Sequence, residues 1–404
     1  MKKRILLLTP IYPSVDEKKS ASPVVHYFTK EWVKLGHEVL VIRFSVNFPS
    51  YIYKFVKPFK NLLSSIIGTE IRTWPLTEIN YELDSVKIKR IPMKKIRPHS
   101  RYSMIEIKNA TKKTIEFCKE NKFIPDVIIS HWVNPQYEIM HILKEFYKVP
   151  TCYIAHDKGH DLMTIYKKEA DAYINETDII GYRSLPIKLG FENNFKCLNK
   201  PNFLCYSGVP ESFFDNEIRV FKEIRSFIYV GTLIKRKYPT SIISALSKVY
   251  GKESFTMYYV GDGYEKNNII KFAANLGVQK NIKLLGRIPR EEVNHMFKKT
   301  DVFIMISKNE TFGLVYLEAM AQGCITIASR GEGVDGIIID GKNGFLCEPG
   351  NSEELSRIIL RIKSMTKEEI QEISRSAQKT AKELTDKNVA ISYLNNILKI
   401  VNSN

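Results

Sequence analysis

The sequence lacks several features that would assign it to a special class of protein. None of its apolar runs approaches the roughly 20 residues of a membrane-spanning helix, and the run at residues 5–8 is too short for a signal-peptide core. The six cysteines contain no C-x-x-C pair, so neither a disulfide framework nor a zinc site is implied. There is no low-complexity tract. We therefore expect a globular, cytoplasmic protein.

The charge balance is unusual. The 404 residues carry 61 Lys and Arg against 44 Asp and Glu, a formal net charge of +17. An excess of this size favours an anionic partner such as a membrane surface, a nucleic acid or a phosphorylated ligand, although a solvated lysine-rich surface explains it equally well. No recognisable nucleic-acid-binding module is present, so we expect no nucleic-acid partner.

Short apolar runs alternate with amphipathic stretches, a pattern typical of parallel sheets covered by helices on both faces. It predicts an α/β fold of two Rossmann-like, doubly wound domains: residues 1–208, residues 209–385, and a last helix (386–404) that packs back on the first domain. The predicted strands are residues 5–8, 38–44, 126–130, 151–155 and 178–182, then 227–230, 255–260, 281–284, 301–306 and 324–328. The predicted helices are residues 23–35, then 240–250, 266–276, 290–298, 313–321 and 352–363.

The most informative segment follows the predicted strand that ends near Ser307. A helix start near Phe312 directs free backbone N–H groups of residues 312–314 into the cleft between the domains, and such a start binds anions. Glu310 lies in the preceding turn, and Glu318 lies on the helix, where it can accept hydrogen bonds from a ribose diol. An ordinary capping glutamate and an ordinary mid-helix glutamate are the alternative interpretation.

The residues from Glu310 to Gly323 read E-x-F-G-x-x-x-x-E-A-M-A-x-G. This string resembles the signature of retaining GT-B glycosyltransferases of family 4, the glycosyl transferases group 1, and the resemblance covers nearly the whole chain. It implies a GT-B fold with an interdomain cleft. It also implies that Glu310 contacts donor-sugar hydroxyls, that Glu318 contacts the ribose, and that the backbone of Phe312, Gly313 and Leu314 holds the diphosphate or the sugar.

Other strings follow in the order that the family resemblance implies. Arg236 and Lys237 form a basic pair after a predicted strand, where cations neutralise a diphosphate; a solvated basic loop is the alternative. The turn of Gly261 and Gly263 is expected below the donor, and the segment of Arg287 and Ile288 beside the nucleotide base. The loop at residues 331–336 is expected to be a flexible turn beside the donor.

In the first domain, His156 ends the predicted strand 151–155 and is expected to bond a sugar hydroxyl or a phosphate. With Lys237 and Glu310 it completes the predicted catalytic set. On the acceptor side we place His131, Asp157, Ser20 and Ser22. Relatives commonly carry a Gly-Gly loop where this chain has the two serines.

Residues 51–63 mix lysines with aromatic residues. Such a segment either lies on an anionic membrane leaflet or forms a first-domain helix with an apolar inner face and a basic outer face.

The resulting hypothesis is a retaining, metal-independent glycosyltransferase. It would move a sugar from a UDP-sugar or a GDP-sugar to a saccharide or lipid-linked acceptor. The expected pathway is surface-polysaccharide or glycoconjugate assembly. No cofactor and no metal are expected, because no D-x-D string occupies a credible cleft position. The alternatives are a catalytically silent GT-B scaffold subunit and a basic nucleic-acid-binding protein.

Overall fold

The computed structural model describes residues 2–16, 23–60, 63–64, 72–97, 100–195, 199–214 and 219–403. The first half of the chain builds an eight-stranded sheet whose central strands are buried on both faces. Its strands are β1 (Arg4–Thr9), β2 (Glu38–Asn47), β3 (Ile79–Leu83), β4 (Val86–Lys94), β5 (Val127–His131), β6 (Thr151–Ala155), β7 (Ile179–Tyr182) and β8 (Asn202–Leu204). Their spatial order is β3-β4-β2-β1-β5-β6-β7-β8.

One edge of this sheet differs from the predicted parallel arrangement. β3 runs antiparallel to β4, while the other pairs are parallel. The hairpin turns at Asp84 and Ser85, which both have positive φ (48° and 63°), as a two-residue hairpin turn requires. β3 is an edge strand in which exposed residues alternate with half-buried ones. Its sequence therefore lacks the apolar run that identifies the central strands.

Helices cover both faces of the first sheet. They are α1 (Val24–Lys34), α2 (Ser50–Val56), α3 (Met104–Glu120), α4 (Gln136–Tyr147), α5 (His160–Tyr166), α6 (Ala170–Glu176) and α7 (Leu185–Asn194). Buried residues of α1 and α4 pack into two hydrophobic clusters, one on each side of β1. Successive residues of the apolar run of β1 therefore pack into opposite cores, as in a doubly wound domain.

The second half of the chain repeats this architecture with a six-stranded parallel sheet. Its strands are β9 (Ser226–Val230), β10 (Thr256–Val260), β11 (Ile282–Gly286), β12 (Val302–Ile304), β13 (Ile325–Ser329) and β14 (Phe345–Cys347), in the order β11-β10-β9-β12-β13-β14. Its helices are α8 (Pro239–Tyr250), α9 (Lys266–Asn275), α10 (Arg290–Lys299), α11 (Leu314–Ala321), α12 (Ser352–Ser364) and α13 (Lys367–Glu383). The prediction of two Rossmann-like domains is confirmed.

The strand order of each sheet reverses at one point, and this fixes where a ligand site can form. In the first sheet the reversal lies between β1 and β5, and in the second between β9 and β12. Ligands of open α/β sheets bind outside the carboxyl ends of the strands at this point, because neighbouring loops diverge there and leave a crevice.

A last helix, α14 (Asp386–Ser403), returns to the first sheet. Trp32 of α1 donates its indole N–H to the carbonyl of Ala390 (2.8 Å), and Tyr393 packs edge-on against the Trp32 ring. The domain limits at 208/209 and 385/386 stay predictions. Among the described residues, no helix combines the length and the apolar character needed to cross a membrane. Five described cysteines are buried and unpaired: Cys118, Cys152, Cys205, Cys324 and Cys347.

Candidate functional site

The two loops at the switch point of the second sheet bring Lys237 and Glu310 together. Lys237 follows β9 and Glu310 follows β12, and the Lys237 Nζ lies 3.3 Å from Glu310 Oε2. Arg236 approaches the same oxygen at 3.8 Å and donates to the carbonyls of Lys308 and Asn309. A carboxylate and two cations thus share one corner of the crevice, with the Lys237 and Glu310 side chains mostly buried.

The turn that carries Glu310 is fixed by Glu332, a residue that the sequence analysis did not single out. The Glu332 carboxylate accepts the backbone N–H of Glu310 (2.9 Å), and the Gly333 N–H donates to the carbonyl of Glu310 (2.9 Å). Gly333 has a positive φ, and a Cβ there would lie 2.5 Å from the carbonyl oxygen of Phe312. The loop that we expected to be a flexible turn is therefore closely packed against the Glu310 turn.

Gly261 and Gly263 allow the loop after β10 to touch the loop that leads to Lys237. A Cβ at Gly261 would overlap the carbonyl oxygen of Gly231, and a Cβ at Gly263 would overlap that of Leu233. Hydrogen bonds from Gly231 N–H to Val260 and from Leu233 N–H to Asp262 hold the two loops in this register. These glycines thus position the basic loop through close backbone contact.

Glu318 lies on α11, which begins at Leu314, one residue later than the predicted helix of residues 313–321. Its carboxylate accepts two hydrogen bonds from the Arg290 guanidinium, from Nε (2.9 Å) and from NH2 (2.5 Å). Arg290 also donates to the hydroxyl of Tyr27 on α1 at 2.6 Å. Glu318 is thus joined through Arg290 to the first domain. Local sequence signals could not predict this contact, because 263 positions separate Arg290 from Tyr27.

The start of α11 carries the remaining predicted donor contacts. Gly313 caps the helix with a positive φ of 82°, and Phe312 is buried, so only its backbone can face the crevice. Arg183 of the first domain is buried with its guanidinium 5.6 Å from the Phe312 ring and 5.4 Å from the Phe28 ring. A cation between two aromatic rings therefore joins the two domains directly behind the helix start.

His156 faces this helix start from the first domain. Its carbonyl accepts a hydrogen bond from Thr311 Oγ1 at 3.1 Å, so it is next in space to the Glu310 turn. Its ring stacks on Trp132 with the centroids 3.7 Å apart. Burial lowers the pKa of His156 well below 6.5, and the neighbouring His131 and Arg183 act in the same direction. The imidazole is therefore neutral at physiological pH.

The structure corrects the position that we predicted for His131. Its ring is fully buried, with Nδ1 3.0 Å from Nε2 of His156 and Nε2 3.1 Å from the hydroxyl of Tyr393. Burial lowers the pKa of His131 well below its usual value. His131 thus lies beneath the cleft surface and supports His156, and a direct contact with an acceptor is excluded by its burial.

The other predicted residues lie nearer the surface or outside the described ranges. The Asp157 carboxylate accepts the backbone N–H groups of Gly159 and Asp161 (2.8 Å each), so it orders the loop before α5. Arg287 is exposed, and Ile288 packs partly against the core of the second domain. Ser20 and Ser22 lie outside the described residues.

Comparison with known proteins agrees with this geometry. Residues 211–380 match the family described as glycosyl transferases group 1. Over this stretch the chain is similar to that family. Its curated relatives include a lipopolysaccharide core biosynthesis glycosyltransferase of Rhizobium meliloti, which is 32% identical over 133 residues, or 33% of this chain and 38% of that protein. Across three such curated relatives the chain spans 35–65% of their length.

Two solved structures resemble the whole chain. A glycosyltransferase from Rickettsia africae superposes with a TM-score of 0.72 at 18% identity, covering 100% of this chain and 99% of that one. A protein of Anabaena, solved in complex with UDP, has a TM-score of 0.69 at 18% identity and covers 99% and 100% of the two chains. The chain therefore has the GT-B fold.

Proposed function

We propose that this protein is a retaining glycosyltransferase that moves a sugar from a UDP- or GDP-sugar to a saccharide or lipid-linked acceptor. The observation that carries the proposal is the meeting of Glu310 with Lys237, at 3.3 Å, on the two loops that flank the switch point of the second sheet. Cations there suit a diphosphate, and the carboxylate suits sugar hydroxyls. The family match of residues 211–380 supports the same assignment, and we expect the pathway to be surface-polysaccharide or glycoconjugate assembly.

In this proposal each charged group stabilises one part of the donor. Lys237 and Arg236 neutralise the charge that develops on the departing diphosphate, and the backbone N–H groups at the start of α11 add to that field. Glu310 orients the donor sugar, and Glu318 shares its carboxylate between Arg290 and the ribose hydroxyls. Because Lys237 and Arg236 supply the positive charge, we propose that no bound metal is needed.

His156 completes the site from the acceptor side. Its imidazole is neutral, so it can bond a sugar hydroxyl without repelling the cations of the donor loop. We propose a front-face substitution, in which the leaving phosphate oxygen takes the proton of the attacking acceptor hydroxyl and the anomeric configuration is retained. Closure of the domains, marked by the bond from Thr311 to His156, would exclude water and limit hydrolysis of the donor.

A cytoplasmic protein with this function can act at the inner face of a membrane, and α2 supplies a surface for it. Tyr53 points inward and is buried, whereas Phe55 and Phe59 are 74% and 49% exposed beside Lys54 and Lys57. Exposed aromatic residues among lysines suit an anionic leaflet. We propose that this part of residues 51–63 contacts the membrane, which co-sedimentation with neutral and anionic vesicles would test.

The experiment that tests the function measures slow hydrolysis of nucleotide sugars by the purified protein. A thermal-shift screen of UDP-, GDP- and ADP-sugars first identifies the donor, because a ligand raises the melting temperature according to its affinity. We expect Glu310→Gln to lower hydrolysis of that donor at least ten-fold. Glu372→Gln, an exposed glutamate of α13, is the matched control and should change nothing. NMR of the glycoside formed with an added acceptor reports the anomeric configuration.

Two outcomes would replace the proposal. Hydrolysis that is absent from the wild-type protein, although a nucleotide sugar binds, would favour a silent scaffold subunit. Tight binding of nucleic acid with a steep salt dependence, and no binding of any nucleotide sugar, would favour a nucleic-acid-binding protein. Hydrolysis that persists with EDTA would support the metal-independent reaction.

A further inference from the structure

A large cavity opens at the edge of the first sheet where strands β2 and β4 end. Its volume is about 1060 Å³. Asn47 at the end of β2 pairs in register with Lys94 at the end of β4, and both line the cavity. The side walls are α2, the loop after β4 and the start of α3. Strands β4, β2, β1, β5 and β6 are all parallel, and His156 directly follows β6. The cavity and His156 therefore both lie at the carboxyl ends of the strands.

The cavity carries cations that have no carboxylate partner in the described part of the chain. These are Lys94 at the end of β4, and Lys95 and Arg97 directly after it. The cavity's fourth cation, Arg101, is already neutralised by Glu138 (2.6 Å) and Glu169 (2.9 Å).

The carboxylate that lines the cavity offsets only part of this charge. Glu106 accepts the backbone N–H of Lys94 at 2.7 Å, so it is held at the rim. Burial lowers the pKa of the Lys95 amine, which shows that its charge is poorly solvated. An anion in the cavity would relieve that cost, and three cations against one carboxylate favour an anionic ligand.

The rest of the lining is apolar and aromatic. Tyr53 and Tyr102 are buried in the wall, Phe48 lies beside them, and Lys95 Nζ sits 4.4 Å over the Tyr102 ring. Ile96 is 74% exposed at the mouth. Pockets for drug-sized molecules measure about 300–1,000 Å³, so a bare phosphate would fill only a small part of this one. The cavity thus fits a ligand that has an anionic group next to an apolar segment.

The cavity is connected to the reaction site through the loop after β5. Asn134 donates its amide to the carbonyl of Ser100 in the cavity wall (2.9 Å). Two residues before Asn134, Trp132 stacks on the His156 ring. The loop after β5 thus runs from the cavity wall to the ring that packs on His156.

We propose that this cavity binds the acceptor through a phosphate or diphosphate group and an adjoining apolar chain, with Lys95 and Arg97 as the anion contacts. The proposal rests on the glycosyltransferase function and adds the chemical class of the acceptor: a phosphate-bearing amphiphile. The neighbouring exposed surface of α2 and of the helical turn after it, with Phe55 and Phe59, is where the apolar chain would leave the cavity toward a lipid surface.

Isothermal titration calorimetry with three probes tests the proposal. The probes are decyl phosphate below its critical micelle concentration, decyl glucoside with the same chain and no charge, and inorganic phosphate. We expect saturable binding of decyl phosphate and at least ten-fold weaker binding of the other two. The double variant Lys95→Gln/Arg97→Gln should weaken decyl phosphate at least ten-fold. The control Lys252→Gln/Lys271→Gln removes the same charge from exposed lysines of the second domain and should leave that affinity unchanged.

Each other result overturns the proposal. Equal affinity for decyl glucoside would exclude recognition of the anion, and equal affinity for inorganic phosphate would exclude the apolar part. An equal loss in the control variant would show general attraction to a basic surface, and no binding of decyl phosphate would exclude the site. Donor hydrolysis by the wild-type protein is measured separately, so a protein that hydrolyses its donor but does not bind decyl phosphate contradicts only this inference.

Discussion

Acidification from pH 7.0 to 5.5 should weaken the fold through the buried pair His131 and His156. Burial lowers the pKa of both imidazoles, and the Arg183 charge acts in the same direction. In the unfolded chain each imidazole regains an ordinary pKa near 6.5. The unfolded state therefore binds more protons below that pH, so stability is fully present above about pH 6.5 and is lost as the pH falls.

The size of the effect follows from proton uptake by the unfolded state alone. A histidine that stays neutral when folded costs about 1.2 kcal/mol between pH 7.0 and 5.5. Both together cost about 2.5 kcal/mol, an upper bound because His156 keeps part of its surface in water. Asp386 opposes this trend, because burial raises its pKa to about 6 and its contribution is lost as the pH rises. The total slope is therefore less informative than a difference between variants.

Urea unfolding of the wild-type protein, His131→Asn and His156→Asn at several pH values measures that difference. Each variant should show a pH dependence smaller by about 1.2 kcal/mol over this range, whatever its absolute stability. His295→Asn is the control, because water surrounds this exposed ring in the folded as in the unfolded protein. If the stability of His131→Asn ran parallel to that of the wild type, His131 would be able to charge in the folded protein, and the reasoning from burial would be refuted.

Three further substitutions test a buried hydrogen bond, a close backbone contact and a buried carboxylate. Tyr393→Phe removes the hydroxyl 3.1 Å from His131 and should cost about 1–3 kcal/mol in urea unfolding, because a buried nitrogen loses its partner. Gly261→Ala places a methyl group against the Gly231 carbonyl and should cost more than about 2 kcal/mol, measured in the same way; an unchanged midpoint would contradict the close contact. Asp386→Asn should stabilise the protein by about 1–3 kcal/mol at pH 8 and by little at pH 4, because its buried Oδ1 has no hydrogen-bond partner and the carboxylate is charged only at the higher pH.

The strands and most helices could be predicted because local signals define them. The apolar run of β6, for example, is bounded by Pro150 and His156, and its predicted limits are those of the structure. The hairpin of β3 and β4 was missed because β3 alternates polar residues at an edge. The short β14 and the helix α13 were also not predicted, although Thr366 and Glu369 form a capping box that signals the start of α13.

The meeting of Lys237 and Glu310 could be predicted because each follows a central strand, and parallel strands bring their carboxyl ends to the same end of the sheet. The contacts between the domains could not. Arg290 with Tyr27, and Arg183 with Phe312, join residues whose separation along the chain hides their proximity. His131 was misplaced for a related reason: it does end a strand, but α14 covers it, and no local signal shows that a distant helix returns to that position.

The contacts across the cleft also explain how ligand binding can control the relative position of the domains. Thr311 donates to the His156 carbonyl, and Arg290 donates to Tyr27. A neutral hydrogen bond contributes only about 0.5–1.5 kcal/mol, and one to a charged group about 1.5–3 kcal/mol. Contacts of this strength are comparable with the energy that a few phosphate contacts supply. Under the proposed function, donor binding at Lys237 would therefore shift the domains between open and closed arrangements. Because Thr311 directly follows Glu310, a donor that orders the Glu310 turn also orders the residue that closes the cleft onto His156.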